Sequence, residues 1–188
     1  MVEPTRNDEE MNVWFAMRAT YRRELEAKRL LDERGVECFV PMKCVKSGRC
    51  GKKRMVPVIH NLVFVYTTAS RIQELKGEKG IPYLQYMMDR SLGRKIIVPD
   101  GQMRQFIAVT GTYDETLRFF GPAEINFAKS QKVRVTGGPF EGCVGIFVKV
   151  KGSREKKVVI QIEGVMAVAL VSVHPDLVVP VEPPHPEA

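Results

Sequence analysis

Residues 14–41 read WFAMRATYRRELEAKRLLDERGVECFVP, and their pattern decides the fold. Asn12 to Ala19 alternates and is rich in β-formers, which predicts a strand. Thr20 is placed to cap a helix, with Glu24 and Glu26 near its positive end. Tyr21, Leu25, Ala27, Leu30 and Leu31 recur at helical spacing and predict one apolar stripe. Gly35 supplies a left-handed residue after the helix, and Val36 to Met42 reads as a second strand, with Pro41 at its end or on an edge.

Further along, Lys43 to Arg54 reads as a basic loop and Val56 to Thr67 as a long third strand, apolar enough for burial on both faces. Ala69 to Lys76 predicts a short helix ending at Gly77. Tyr83–Met88 and Lys95–Val98 predict a hairpin around Arg90-Ser91-Leu92-Gly93. Pro99-Asp100 then opens a helix through Thr110, with Met103, Phe106 and Ile107 on one face. This order is the split βαβ, or ferredoxin-like, arrangement. Its sheet is expected to bury one face under helices and offer the other to a partner.

Residues 111–128 are acidic, contain Gly121-Pro122 and lack a period, which predicts a linker; Leu117, Phe119 and Phe120 could dock on either neighbour. Beyond it the strands Gln131–Thr136, Val144–Val150, Lys157–Ile162, Val168–Val173 and Val178–Val181 predict a small barrel. The expected class is α+β: a tail at 1–11, a first domain at 12–110, the linker, a barrel at 129–181 and a tail at 182–188. A chain of 188 residues suits two small domains. No apolar run is long enough to span a membrane and the acidic start is no secretory signal, so a cytoplasmic protein is expected.

The net charge of +7 points to a polyanion partner, and its distribution says more. Residues 12–110 carry +10 and 129–180 carry +4, while 1–11, 111–128 and 181–188 are acidic. No acid occurs from Cys38 to Gln73, and Lys43, Lys46, Arg49, Lys52, Lys53 and Arg54 crowd into twelve residues. A glycine-bearing basic loop with nothing to neutralise it suits phosphate contact, although such runs are more often solvated surface. Without an aromatic, that loop gives no sign of base stacking.

Cys38, Cys44 and Cys50 are evenly spaced, but five intervening residues do not match a zinc knuckle, and a distorted site with His60 is improbable. Free thiols are expected, with Cys38 and Cys143 packed as small hydrophobes and Cys44 and Cys50 activated by neighbouring cations. Neither metal nor cofactor is expected. The histidines His60, His174 and His185 have no acid or nucleophile at a recognisable spacing, and no phosphate-cradling glycine loop occurs, so the chain reads as no enzyme.

The segment KVRVTGGPFEGCVGIFVKV, Lys132 to Val150, resembles a KOW motif, the opening of an SH3-like barrel. Val133, Val135, Val144, Ile146 and Val148 alternate into a core, and Gly142 and Gly145 permit positive φ or close approach. Residues 14–41 look like the start of a NusG N-terminal domain: a strand with Trp, an Arg, a helix, Gly, and a strand ending in Pro. The resemblance to the NusG family covers residues 12–180. His60-Asn61-Leu62 replaces the common Pro-Gly-Tyr, and Gly164-Val165-Met166-Ala167-Val168 replaces the usual barrel run. Such departures are similar to those of specialised paralogues, such as antiterminators of Bacteroidetes polysaccharide loci.

The resemblance implies a transcription elongation and antitermination factor, a monomer, that grips RNA polymerase through an apolar pocket of its first domain. Trp14, Phe15, Tyr21, Leu62 and Phe64 are the pocket candidates; Trp14 and Phe64 read equally well as core. Arg18, Arg22 and Arg23, with the basic loop, would face nontemplate DNA or nascent RNA. The KOW barrel would meet a small ribosomal-subunit protein or the Rho termination factor through Pro139 and Phe140, with Ile162 and Met166 beside them. Phe140 could equally close the barrel end. A ribosome-associated or RNA-binding KOW protein is the competing class.

Overall fold

The structure, a computed structural model, describes residues 11–47, 52–77, 79–89, 92–112, 117–120, 131–138, 140–149, 156–162, 165–170 and 175–181. It divides into two compact units, Met1–Gly111 and Thr112–Ala188.

In the first unit the strands are β1 (Val13–Ala19), β2 (Glu37–Phe39), β3 (Met42–Ser47), β4 (Lys52–Pro57), β5 (Leu62–Thr67), β6 (Leu84–Tyr86), β7 (Met88–Asp89), β8 (Arg94–Lys95) and β9 (Ile97–Val98). The helices are α1 (Glu24–Glu33), α2 (Ala69–Lys76) and α3 (Asp100–Thr110). The main sheet runs β2-β5-β1-β6, all antiparallel, with β9 also on β1. That is the strand order of a split βαβ unit. β3 and β4 form a separate ribbon, as do β7 and β8.

Alternation along β1 decides the packing. Phe15, Met17 and Ala19 join Val63 and Val65 of β5 in a core with Ala27 and Leu31 of α1 and Ile72 and Leu75 of α2. Trp14 and Ala16 share the opposite face with Phe64, which is opposite Ala16 in register. That face is not free. The buried Met103, Phe106 and Val109 belong to α3, and the Phe106 ring lies 6.1 Å from Phe64. The Trp14 indole Nε1 donates to Asp100 Oδ1 at 3.2 Å, at the start of α3. Arg104 and Trp14 together hold the Asp100 carboxyl below its usual range. The open sheet face expected from sequence is therefore covered. An amphipathic stripe shows that a helix buries one side, but not which side of the sheet it meets.

Other differences are local. Thr20 does not cap α1, since its hydroxyl donates to the Tyr83 carbonyl at 3.4 Å. Thr20–Arg22 is a single 3-10 turn and α1 starts at Glu24. The buried stripe is then Glu24, Ala27 and Leu31, which leaves Tyr21 and Leu25 exposed. The expected second strand breaks at Val40-Pro41, and the expected third breaks at Asn61, where φ is +68°. The basic segment is a hairpin rather than a loop. Gly35, at φ +67°, ends α1 as expected, and α2 is capped by Thr68, whose Oγ1 accepts from Arg71 N at 3.2 Å.

The second unit is a six-stranded antiparallel sheet in the order β10-β14-β13-β12-β11-β15. Its strands are β10 (Arg118–Phe120), β11 (Gln131–Val135), β12 (Val144–Lys149), β13 (Lys156–Ile162), β14 (Met166–Leu170) and β15 (Val178–Pro180). β10 falls within the stretch read as linker, so part of that stretch belongs to this sheet. Val133, Val135, Phe140, Val158, Val159, Ile160, Ile162 and Val165 are buried, while Val144 and Ile146 are half-buried. Gly142 has φ +82°, and a Cβ on Gly145 would lie 2.7 Å from Val158 Cγ1. The two glycines thus serve the two purposes their positions suggested.

Candidate functional site

Three non-glycine residues among those described have left-handed backbone: Tyr21 (φ +61°), Arg22 (φ +57°) and Asn61 (φ +68°). Each such conformation costs about 1–3 kcal/mol and persists only where the surroundings determine it. Here Asn61 binds one buried carboxylate directly, and Arg22, next to Tyr21, is tied to it through Asn61. Glu24 is 2% exposed, and its Oε2 accepts from the Asn61 backbone N–H at 3.0 Å. Its Oε1 lies 3.1 Å from His60 Nδ1. Asn61 in turn accepts from the Arg22 backbone N–H through Oδ1 at 2.7 Å, and its carbonyl accepts from Ala19 N at 2.7 Å. A buried carboxylate requires such partners, and here it takes them from the turn between β4 and β5. Glu24 and Asn61 together hold the Tyr21-Arg22 turn open.

The turn presents Tyr21 at 85% exposure. Beside it lies an open groove of about 570 Å³ lined by Thr20, Tyr21, Arg23, Pro82, Tyr83 and Gln85. The Arg23 guanidinium sits 4.9 Å above the Tyr83 ring centre. Burial and the Glu26 carboxylate push the Tyr83 hydroxyl up, and its oxygen is buried without a hydrogen-bond partner among the described residues. Arg18 stands on β1 opposite Gln85 of β6. The groove therefore combines the aromatic side chains of Tyr21 and Tyr83 with the Arg23 cation.

The structure distributes the sequence candidates unevenly. Of the pocket set, Tyr21 is exposed, whereas Trp14, Phe15, Leu62 and Phe64 are core residues at 0–2% exposure. Their sheet has helices on both faces, so these four support the surface without forming it. Arg18, Arg22 and Arg23 are exposed, and of these Arg23 lines the groove. Lys43, Lys52, Lys53 and Arg54 are exposed on the β3–β4 ribbon, where Lys43 lies opposite Val56 and Arg54 opposite Val45. Arg49 lies outside the described residues, as does the side chain of Lys46. In the second unit Phe140 is 3% exposed and Ile162 is buried, so both pack inside the sheet's core. Pro139 and the Met166 side chain lie outside the described residues. Glu24 and Asn61 were not singled out as functional from sequence. The available signal was Asn61, which tolerates left-handed backbone and stands where the Pro-Gly-Tyr motif has glycine.

Cys38, Cys44 and Cys143 are half-buried thiols, and Cys50 lies outside the described residues. Burial pushes the Cys38 thiol up to about 12, and its Sγ lies 3.4 Å from Asp32 Oδ1. Among the described residues no group of His, Cys, Asp or Glu is placed to share a metal ion, and no helix is long and apolar enough to cross a membrane.

The α+β chain thus carries, in its first unit, an exposed tyrosine beside an arginine-lined groove. The family model described as transcription termination factor nusG matches residues 12–107, just over half of the chain. The chain belongs to the NusG family and is a transcription factor of the NusG type. Among solved structures it is similar to one titled "Domain interaction in Thermotoga maritima NusG", at 20% identity and TM-score 0.43, covering 91% of this chain and 98% of that one. No curated protein sequence matches.

Proposed function

We propose that the chain is a transcription elongation and antitermination factor that binds RNA polymerase through its first unit, with Tyr21 at the centre of the contact. Members of the family typically bind RNA polymerase. The observation that carries the assignment is the left-handed turn that exposes Tyr21 at the groove mouth while Glu24 and Asn61 absorb its strain. Strain of this kind gathers at functional sites. Arg18, Arg22 and Arg23, with the β3–β4 ribbon, face nontemplate DNA or nascent RNA. The second unit acts as an SH3-like KOW barrel that recruits a further partner, with Phe140 supporting its loop from below. The chain works by binding, not by covalent chemistry: it favours the elongating polymerase by its higher affinity for that state.

Affinity of the full chain for its cognate core polymerase tests this reading. A central aromatic contact is worth about 2 kcal/mol, so Tyr21→Ala should weaken binding roughly 30-fold. It should equally reduce read-through of a terminator in purified transcription. Equal affinity of the variant would remove Tyr21 from the interface. Failure of the unaltered chain to bind polymerase, with retained binding to ribosomal RNA, would replace the reading with that of an RNA-binding KOW protein.

A further inference from the structure

Away from the Tyr21 turn, two cations converge on one aromatic ring. Tyr86, the last residue of β6, packs against Phe15 with ring centres 5.8 Å apart. Lys76 Nζ lies 4.0 Å from the Tyr86 ring centre and Lys95 Nζ 4.2 Å from it. Lys76 ends α2 and Lys95 ends β8, so two separate elements deliver the pair. Neither lysine forms an ion pair among the described residues. The nearby Glu74 is taken by Arg71 at 2.7 Å.

This arrangement calls for a reason. Two ammonium groups held to one ring repel each other, and the electron-rich face offsets only part of that. Burial, and after it the charge of Lys95, lower the pKa of Lys76. The C-terminus of α2 favours a cation at Lys76, but it does not account for the second one. An anion with several oxygens would satisfy both. Two ammonium groups already crowd the Tyr86 ring, so the site is fitted to backbone phosphate oxygens rather than to a stacked base. The surrounding unit carries +10 over residues 12–110, which selects a polyanion over a single small anion.

We propose that Lys76 and Lys95, braced on Tyr86, form a phosphate-contact site for nucleic acid, separate from the Tyr21 groove and from the β3–β4 ribbon. It extends the nucleic-acid side of the function proposed above, but its test contains no polymerase, so the two can fail independently.

The test is the salt dependence of binding by the full chain to a fluorescent single strand of about 20 nucleotides and to the matching duplex. Removing one phosphate-contacting lysine lowers the log–log salt slope by about 1, so the double variant Lys76→Gln, Lys95→Gln should lower it by about 2. The variant Lys76→Arg, Lys95→Arg should restore the slope, because it keeps both charges. The thermal midpoint of each variant should match that of the unaltered chain. Inorganic phosphate at matched ionic strength should compete weakly; full competition at millimolar levels would reassign the site to a free phosphate and overturn the proposal. An unchanged slope in the folded double Gln variant, or no oligonucleotide binding by the unaltered chain, would also overturn it.

Discussion

Asn61 shows how a single residue shapes the candidate surface. Its left-handed backbone aims its N–H at Glu24 and its side-chain oxygen at the Arg22 N–H. Two roles are therefore combined, and they can be separated. Asn61→Gly removes the side-chain acceptor but keeps the backbone conformation, at a cost of about 1 kcal/mol for one lost hydrogen bond. Asn61→Val removes the same acceptor and adds a β-branched side chain at φ +68°, costing about 1–3 kcal/mol more. Trp14 is the only tryptophan of the chain and lies in the first unit, so urea unfolding followed by its fluorescence reads the difference. Equal midpoints for the two variants would show that the backbone conformation is not strained. At this scale the sequence was partly legible. Tyr21 was among the pocket candidates, but its helical spacing also placed it in the apolar stripe, from which the 3-10 turn removes it. Trp14 and Phe64 could not be told from surface aromatics, because alternation assigns them to a face without saying what covers it.

The β3–β4 hairpin makes the equivalent argument at the scale of an element. Its register sets Lys46 opposite Lys53, and like charges directly opposed weaken a ribbon. The sequence between Cys38 and Gln73 carries bases and no acid. Such an element is better suited to a polyanion than to its own stability. Charge reversal at Lys52, Lys53 and Arg54 should lower the salt slope of nucleic-acid binding by about 3 or more, at roughly 1 per contact. The exposed positions should leave unfolding free energy within about 0.5 kcal/mol. An unchanged slope would take the hairpin off the nucleic-acid surface. The hairpin was legible as a basic segment but not as strands, since Lys and Arg carry no apolar period to read. The break at Asn61 was hidden for the opposite reason: a continuous apolar run from Val56 to Thr67 reads as one strand. β10, three residues long, is too short for any period to show. The long strands β1 and β5 and the helices α2 and α3 were legible because their apolar residues repeat over several turns or pleats.

At the scale of the molecule, each unit has its own buried core, and the family match at residues 12–107 falls within the first. Compact units with separate cores unfold as separate cooperative systems unless their interface is large. Phe140 tests this from the second unit. It is 3% exposed, so Phe140→Ala leaves a cavity and should cost about 3–5 kcal/mol. The loss should fall on the second unit alone. Calorimetry should show its transition moving down by many degrees, while the Trp14 fluorescence transition of the first unit stays in place. Polymerase affinity should likewise be retained, because Tyr21, Glu24 and Asn61 all belong to the first unit. A Trp14 transition that follows the second unit downwards would mean that the two cores unfold as one. A fully stable Phe140→Ala chain that loses only its second partner would restore Phe140 to the role its loop position suggested, a contact residue held on the surface. The buried position favours the first outcome, since a ring that is 3% exposed has little surface to give to a partner.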